Sequence, residues 1–307
     1  MLLPKALKKG DTIGIIAPAS PPNMKRLGKA IPFFTNFGLR VKVGKNIAKV
    51  SGYLAGTDEE RLADFHEMIA DEEVKAIIIA RGGYGTPRLA SSLNYDLIAS
   101  HPKVIWGYSD ITYLHVAIQQ KAGLVTFHGP MPASDLASPD IEERTLASFS
   151  QLLRPTSLQY SENLSSLEVL RVGEASGKLV GGNLTLLTST LGTPFEVDTA
   201  GKILFIEDVN ESPYRIDSML NQLKLSGKLA QAAGVAIGSF TQIKANSTSS
   251  YTLDEIFHHY LSDLPLPVMS GFEIGHCSPN IGIPLGVPAT MNTQTKTLSM
   301  MPGVKEN

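Results

Sequence analysis

Short β-branched runs alternate with helix-like stretches through the first half of this 307-residue chain. Valine- and isoleucine-rich runs are typical of buried parallel strands, and the amphipathic stretches between them are typical of crossover helices. The alternation therefore predicts an open, largely parallel α/β sheet. The strand-like runs are 12–17, 39–43, 74–80 and 104–106, and the helix-like stretches are 24–37 and 58–70.

The second half of the chain follows a segment without periodicity. Residues 154–176 are rich in serine, proline and other polar residues, as expected for a connection between domains. Strand-like runs resume at 202–206 and 234–240, and helix-like stretches at 184–191 and 214–225. We predict an N-terminal α/β domain over 1–153, a linker over 154–176 and a smaller mixed α/β domain over 177–307.

Composition excludes several classes of function. The chain is 43% hydrophobic and 18% charged, with a formal net charge of −2 and no dense Lys/Arg tract, so we expect no dominant nucleic-acid surface. No apolar run has the length of a signal-peptide core or a membrane span, which predicts a cytoplasmic protein without a membrane partner. The single cysteine, Cys277, cannot form an internal disulfide or supply a Cys-based metal site.

The segment 104–112 joins an apolar run to a serine turn and then to a helix-like pattern. The run ends at Gly107, Ser109 stands in the turn, and the helical pattern begins at Tyr113. A serine on a tight strand-to-helix turn exposes its hydroxyl, and N–H groups at the helix start can hold a developing oxyanion. Ile111 replaces the second glycine of the G-x-S-x-G pattern. The segment predicts a nucleophile elbow, with a simple helix cap as the alternative.

A catalytic serine needs a base and a carboxylate that orients the base. For the base, the residues leave two candidates open: His128 follows a strand-like run, and His276 lies in the loop 275–280. Glu207, at the end of the run 202–206, is the candidate acid, with a cap as its alternative role. The simplest interpretation makes the other histidines surface or core-edge residues: His66, His101, His115, His258 and His259.

The glycine-rich turn 82–85 lacks the Lys-Ser/Thr of a P-loop and the spacing of a dinucleotide fingerprint. Backbone without side-chain bulk can instead bring N–H groups close to a substrate oxygen. The turn therefore predicts part of an oxyanion hole.

Several short motifs occur together in one order along the chain. They are 16–20, 81–85, 107–112, 128–131, 179–184, 207–209, 214–217 and 275–280. In this order they resemble the LD-carboxypeptidase family of serine peptidases, which includes muropeptide LD-carboxypeptidases and microcin C7 self-immunity proteins. The resemblance runs nearly end to end.

The resemblance implies a catalytic triad in a site between the two domains. Ser109 matches the nucleophile, His276 the general base and Glu207 the carboxylate that orients it. The backbone N–H of Asp110 and one from Gly82 or Gly83 would form the oxyanion hole.

The resemblance also implies a substrate and an assembly. The family cleaves the bond between the L-centre of a diamino acid and a terminal D-amino acid in a murein tetrapeptide, without metal or cofactor, and a homodimer is expected. Arg215 is a candidate for the terminal carboxylate, because arginine pairs with carboxylates in a bidentate manner. An ion pair of Arg215 with Asp217 or Glu211 is the alternative.

Three other hypotheses remain. A microcin C7-type hydrolase would cut an aminoacyl-nucleotide conjugate with the same triad. Such proteins are similar to this chain but tend to carry a longer, aromatic-bearing insertion. Here the interval between Gly85 and Gly107 is short, which disfavours this hypothesis. A non-catalytic α/β binding module would use Ser109 only as a cap. A cysteine peptidase based on Cys277 is disfavoured because adjacent residues such as His276 and Cys277 point in different directions.

Overall fold

The structure is a computed structural model that describes residues 1–244 and 250–307. These residues form two compact units. The first comprises Met1–Thr156, Ser278–Pro284 and Pro302–Asn307, and the second comprises Ser157–Cys277 and Leu285–Met301.

The elements follow one another in chain order. The strands are β1 (Thr12–Ile16), β2 (Arg40–Val43), β3 (Val74–Ile79), β4 (Val104–Gly107), β5 (Thr126–His128), β6 (Leu158–Tyr160), β7 (Glu168–Arg171), β8 (Glu174–Asn183), β9 (Ile203–Val209), β10 (Gly234–Thr241), β11 (Val268–Ser270), β12 (Ile283–Leu285), β13 (Pro288–Asn292) and β14 (Thr297–Met300). The α-helices are α1 (Met24–Asn36), α2 (Asp58–Ala70), α3 (Tyr95–Ser100), α4 (Thr112–Lys121), α5 (Glu143–Ala147), α6 (Leu184–Ser189), α7 (Pro213–Leu225), α8 (Lys228–Gln231) and α9 (Leu253–Leu261).

The first unit is built on a six-stranded sheet in the order β12-β5-β4-β3-β1-β2. All the pairs from β5 to β2 are parallel. Strands β1 and β4 are buried along their whole length, which explains why they contain almost only apolar residues. This architecture confirms the predicted open, largely parallel α/β sheet.

Local signals fix the helices that cover this sheet. Helix α2 begins with a capping box, in which Thr57 accepts from the Glu60 N–H and the Glu60 side chain accepts from the Thr57 N–H. Its apolar side packs in the core with Phe65 and Ile69 fully buried. In the described part of the chain, no helix is long and apolar enough to cross a membrane.

The second unit has an eight-stranded mixed sheet in the order β6-β14-β13-β8-β9-β10-β11-β7. Its centre, β8 to β11, is parallel, and antiparallel strands flank it on both sides. The interval 154–176, predicted as a linker, contains β6, β7 and the start of β8. Strands β6 and β7 are short edge strands of three and four residues, and so they show no periodicity that the sequence could reveal.

Candidate active site

Ser109 lies on a strained turn at the carboxyl end of β4. Its φ is +66°, in the left-handed region, and a 3-10 turn over Ser109–Ile111 leads directly into α4. A non-glycine residue in this conformation costs about 1–2 kcal/mol, which is characteristic of functional turns. The N-cap position of the 3-10 turn is Tyr108 and that of α4 is Ile111, so Ser109 is the first residue of the turn.

The glycine turn after β3 touches this serine. A Cβ on Gly82 would lie 2.9 Å from the Ser109 Cβ, 3.0 Å from its Oγ and 3.5 Å from the Asp110 backbone nitrogen. Gly83 has a φ of +114°. Within residues 1–244 and 250–307, neither the Gly82 nor the Gly83 N–H has a hydrogen-bond acceptor. The turn thus brings bare backbone against the serine with two N–H donors to spare, as an oxyanion hole requires.

The Asp110 side chain ties the glycine turn to the elbow. Its Oδ2 accepts the Thr86 N–H at 2.9 Å, and the Thr86 hydroxyl donates to the Asp110 carbonyl oxygen at 2.5 Å. Burial raises the pKa of the Asp110 carboxyl to about 6, against the lowering effect of the Thr86 hydrogen bonds. These two bonds, both donated by Thr86, fix the position of Asp110 relative to the turn. Thr86 had no role in the sequence-based prediction, and its only signal was its place directly after the turn 82–85.

Two buried histidines lie close to the elbow. His115 of α4 donates from Nε2 to the Gly107 carbonyl at 2.8 Å, and complete burial lowers its pKa to about 4. A neutral His115 therefore holds the end of β4. His128, the second candidate base, is fully buried at the end of β5 with its ring 5.5 Å from the Tyr108 ring.

In the second unit, Glu207 and His276 form a direct pair. The His276 Nδ1 lies 2.7 Å from the Glu207 Oε2, and the His276 backbone N–H donates to the same oxygen at 3.3 Å. Glu207 is fully buried, whereas the His276 side chain is 17% exposed. A histidine whose Nδ1–H is held by a buried carboxylate presents Nε2 as a base. Sixty-nine residues separate the partners in sequence.

The backbone next to this pair leaves room for the Glu207 carboxylate. Gly275 has a φ of +111°, and a Cβ there would lie 2.5 Å from the Glu207 Oε2. The apolar run 202–206 predicts that Glu207 and Asp208 follow the strand. In the structure β9 continues to Val209, so both carboxylates lie within the strand. The ladder continues because Glu207 pairs with Asn183 of β8.

Asp208, the neighbour of Glu207, binds the first turn of α6, whose N-cap is Asn183. Asp208 accepts from the Asn183 amide, and from both the backbone N–H and the hydroxyl of Thr185 in α6, each at 2.9 Å. Burial, followed by the charge of Glu207, raises the Asp208 pKa to about 6. This network was not predicted from the residue pattern, although Asn183 lies in the motif 179–184.

Two further residues of the sequence analysis lie in the second unit. The Arg215 Nε is 3.7 Å from the Glu211 Oε2 with half of its side chain exposed, so the structure shows the ion pair weighed as its alternative role. Cys277 is half-buried, and its Sγ lies 3.9 Å from the Gly275 carbonyl oxygen. No group of three or more His, Cys, Asp or Glu side chains among the described residues could hold a metal ion.

Comparison with models of known protein families shows the family to which this chain belongs. Residues 13–129 match the LD-carboxypeptidase N-terminal domain, and residues 176–291 match the LD-carboxypeptidase C-terminal domain. The chain belongs to the LD-carboxypeptidase family. As a member of this peptidase family it is a hydrolase of the carboxypeptidase class, which confirms the resemblance found in the motifs.

Individual members of the LD-carboxypeptidase family match over nearly the whole chain. The probable murein peptide carboxypeptidase of Bacillus subtilis (strain 168) is 54% identical over 304 residues, covering 99% of this chain and 95% of that protein. The muramoyltetrapeptide carboxypeptidase of Oxalobacter formigenes has a TM-score of 0.85 at 31% identity, covering 96% and 100% of the two chains. MccF in complex with glutamyl sulfamoyl guanosine has a TM-score of 0.91 at 26% identity, covering 98% of each chain.

Proposed function

We propose that this protein is a serine-type LD-carboxypeptidase that removes the terminal D-amino acid from murein tetrapeptides. The observation that carries the proposal is the 54% identity, over 99% of the chain, to a probable murein peptide carboxypeptidase. The strained Ser109 turn and the 2.7 Å pair of Glu207 with His276 support the chemistry.

In the proposed reaction, Ser109, His276 and Glu207 act as a triad. The Ser109 Oγ attacks the carbonyl carbon of the amide between the L-centre of the diamino acid and the terminal D-residue, while the His276 Nε2 takes the hydroxyl proton. Glu207 stays ionised and stabilises the imidazolium through Nδ1. His276 then returns the proton to the departing amine of the D-residue, which leaves an acyl-enzyme. Water activated by His276 hydrolyses this ester and regenerates the serine.

The oxyanion that forms in both steps would be held by backbone donors. The Asp110 N–H is one, and the Gly82 or Gly83 N–H is the other. Preorganised donors of this kind each contribute about 10²–10³ in rate, because they need no reorganisation when charge develops. The Thr86–Asp110 bonds would keep these donors in place.

The proposal has three further parts. We propose Arg215, freed from Glu211, as a partner for the substrate's terminal carboxylate. We also propose a cytoplasmic location and a homodimer, and light scattering of the purified protein tests the homodimer.

Hydrolysis of an aminoacyl-nucleotide conjugate is the second candidate, and the TM-score of 0.91 to MccF favours it. Both reactions need the same serine, so only the substrate distinguishes them.

The test is mass spectrometry of a murein tetrapeptide and of glutamyl sulfamoyl guanosine after incubation with the purified protein. We expect release of the terminal D-residue from the tetrapeptide and no cleavage of the conjugate. Ser109→Ala should lower tetrapeptide cleavage by a factor of about 10⁴ or more, because it removes the nucleophile. Ser91→Ala, at an exposed serine of the same unit, is the matched control. Cleavage of the conjugate alone would reverse the substrate assignment, and full activity of folded Ser109→Ala would refute the triad.

A further inference from the structure

The first unit contains a cavity that is far from the elbow and is lined by positive charge. The cavity has a volume of about 470 Å³ and is lined by residues that include Asp11, Val74 and Lys103. These three lie at or just before the amino ends of β1, β3 and β4, whereas Ser109 and Gly82 follow the carboxyl ends. Because the strands are parallel and rise about 3.3 Å per residue, the two ends of the sheet are separated by the full strand length.

The charge around this cavity is unlike that of the rest of the chain. Five of its twelve lining residues are lysines, accompanied by His101, whereas Lys and Arg together make up 27 of 307 residues and the formal net charge is −2. Two carboxylates, Asp11 and Glu72, also line it. The lysines are Lys5, Lys8, Lys75, Lys103 and Lys305.

Most of these ammonium groups lack a protein counter-charge. Across residues 1–244 and 250–307, none of the five lysines forms an ion pair within 4.0 Å with a carboxylate. Lys75 donates only to the Glu72 carbonyl, and no hydrogen bond from the Nζ of Lys5, Lys8 or Lys305 is formed within the same part of the chain. Asp11 is engaged by the Lys8 backbone N–H at 2.8 Å.

Lys103 is the most constrained of the five. It is 7% exposed, and its Nζ donates to the carbonyls of Met68, at 2.9 Å, and Asp71 at the end of α2. These bonds use two of its three donors, and burial lowers its pKa to about 8. Capping α2 accounts for Lys103 in part, since helix C-termini attract cations, but it does not account for the other lysines that surround the same space.

We propose that this basic cavity is a second binding site, separate from the elbow, for a small anion with two or more phosphate or carboxylate groups. Its volume lies in the range of about 300–1,000 Å³ that is usual for small-molecule sites. Several ammonium groups around one concave space match a compact polyanion better than an extended polymer, which would need a basic stripe across the surface. A bound anion would supply the negative charge that these ammonium groups do not receive from an ion pair with a carboxylate of the described residues.

The test uses the whole protein and two defined probes, pyrophosphate and citrate, in isothermal titration at low and at moderate salt. We expect saturable binding of at least one probe with a Kd below about 1 mM, weakening as salt rises. Preference for pyrophosphate would identify a phosphate ligand, and preference for citrate a carboxylate ligand. The pKa of Lys103, followed by NMR, should rise when the probe binds, because an anion favours the charged ammonium.

Matched double variants separate a site from a general charge effect. Lys5→Gln/Lys305→Gln should weaken binding about tenfold or more, since two charge-assisted contacts are lost. Lys25→Gln/Lys29→Gln removes the same charge from exposed positions on α1 and should change the Kd by less than about threefold. Tetrapeptide cleavage should be unchanged in both variants, so the outcome does not depend on the proposed function. Absence of saturable binding, equal weakening in the two variants, or binding of an oligonucleotide but of neither probe would overturn the proposal.

Discussion

The elbow around Ser109 and the Glu207–His276 pair are built in different ways. The elbow consists of backbone geometry: a positive φ, a glycine turn and N–H groups, all set by residues 82–86 and 107–115. The pair consists of two side chains from β9 and the loop 275–280, which only the folded second unit brings to 2.7 Å. The first region depends on conformation and the second on chemical identity. A change that adds a single atom should therefore damage the elbow, while a change that keeps shape but removes charge should damage the pair.

Among the variants that test this contrast, Glu207→Gln should cause the largest loss of kcat. The substitution keeps the shape of the side chain but removes the carboxylate. Because that carboxylate orients His276 and stabilises its imidazolium form, kcat should fall by a factor of about 10²–10⁴. Steady-state kinetics on the tetrapeptide measure this. Glu168→Gln, at an exposed position on the edge strand β7, is the control and should retain activity. A kcat within about threefold of wild type in Glu207→Gln would show that the pair is structural.

Gly82→Ala tests the elbow with the smallest possible addition. The new Cβ would lie 2.9 Å from the Ser109 Cβ, so the serine or the turn must move. We expect kcat to fall by a factor of about 10², because misplacement of reacting groups by about 1 Å has that effect. Gly28→Ala in α1 is matched, since a Cβ there meets nothing within 4 Å. Equal activity of the two variants would contradict the tight approach of the turn to the serine.

Thr86→Ala tests how much the elbow depends on the hydrogen bonds from Thr86 to Asp110. It removes the hydroxyl bond to the Asp110 carbonyl and leaves the Thr86 N–H bond to Oδ2 intact. We expect kcat to fall about tenfold with KM nearly unchanged, equivalent to about 1.4 kcal/mol of transition-state stabilisation. Thr86→Ser keeps the hydroxyl and should restore kcat. A loss of thermal stability in Thr86→Ala with kcat unchanged would make the contact structural only.

His115→Gln should have the smallest effect on activity and a defined effect on stability. The folded-state pKa of about 4 lies below the unfolded value of 6.5, so the unfolded state binds more protons between these pH values and stability falls as the pH is lowered through them. A glutamine can keep the bond to the Gly107 carbonyl without titrating. The stability advantage of wild type over His115→Gln should therefore shrink by about 3 kcal/mol between pH 6.5 and pH 4. Urea unfolding at several pH values measures it, and a pH-independent difference would rule out a buried neutral His115.

The same contrast explains what the sequence could predict. The elbow and the glycine turn are local, so their residue types and spacing are informative without a structure. The choice of base is not local: His128 and His276 both follow plausible patterns, and only the family resemblance favoured His276. The carboxylates of β9 appeared to follow their strand because buried Glu207 and Asp208 are polar, while their burial depends on partners such as His276 and Thr185 elsewhere in the chain. Strands β6 and β7 escaped prediction because short edge strands have too few residues for a period.

The late strand β12 has a consequence for how the protein is made. It pairs next to β5 at one border of the first sheet, although residues 129–282, most of them from the second unit, are synthesised between the two strands. Until the ribosome has translated Ile283–Leu285, the β5 border offers unpaired backbone groups to any neighbouring chain. The nascent protein therefore has an unpaired strand edge for about half of its synthesis, and truncated products that stop before β12 should be the forms that aggregate or require a chaperone.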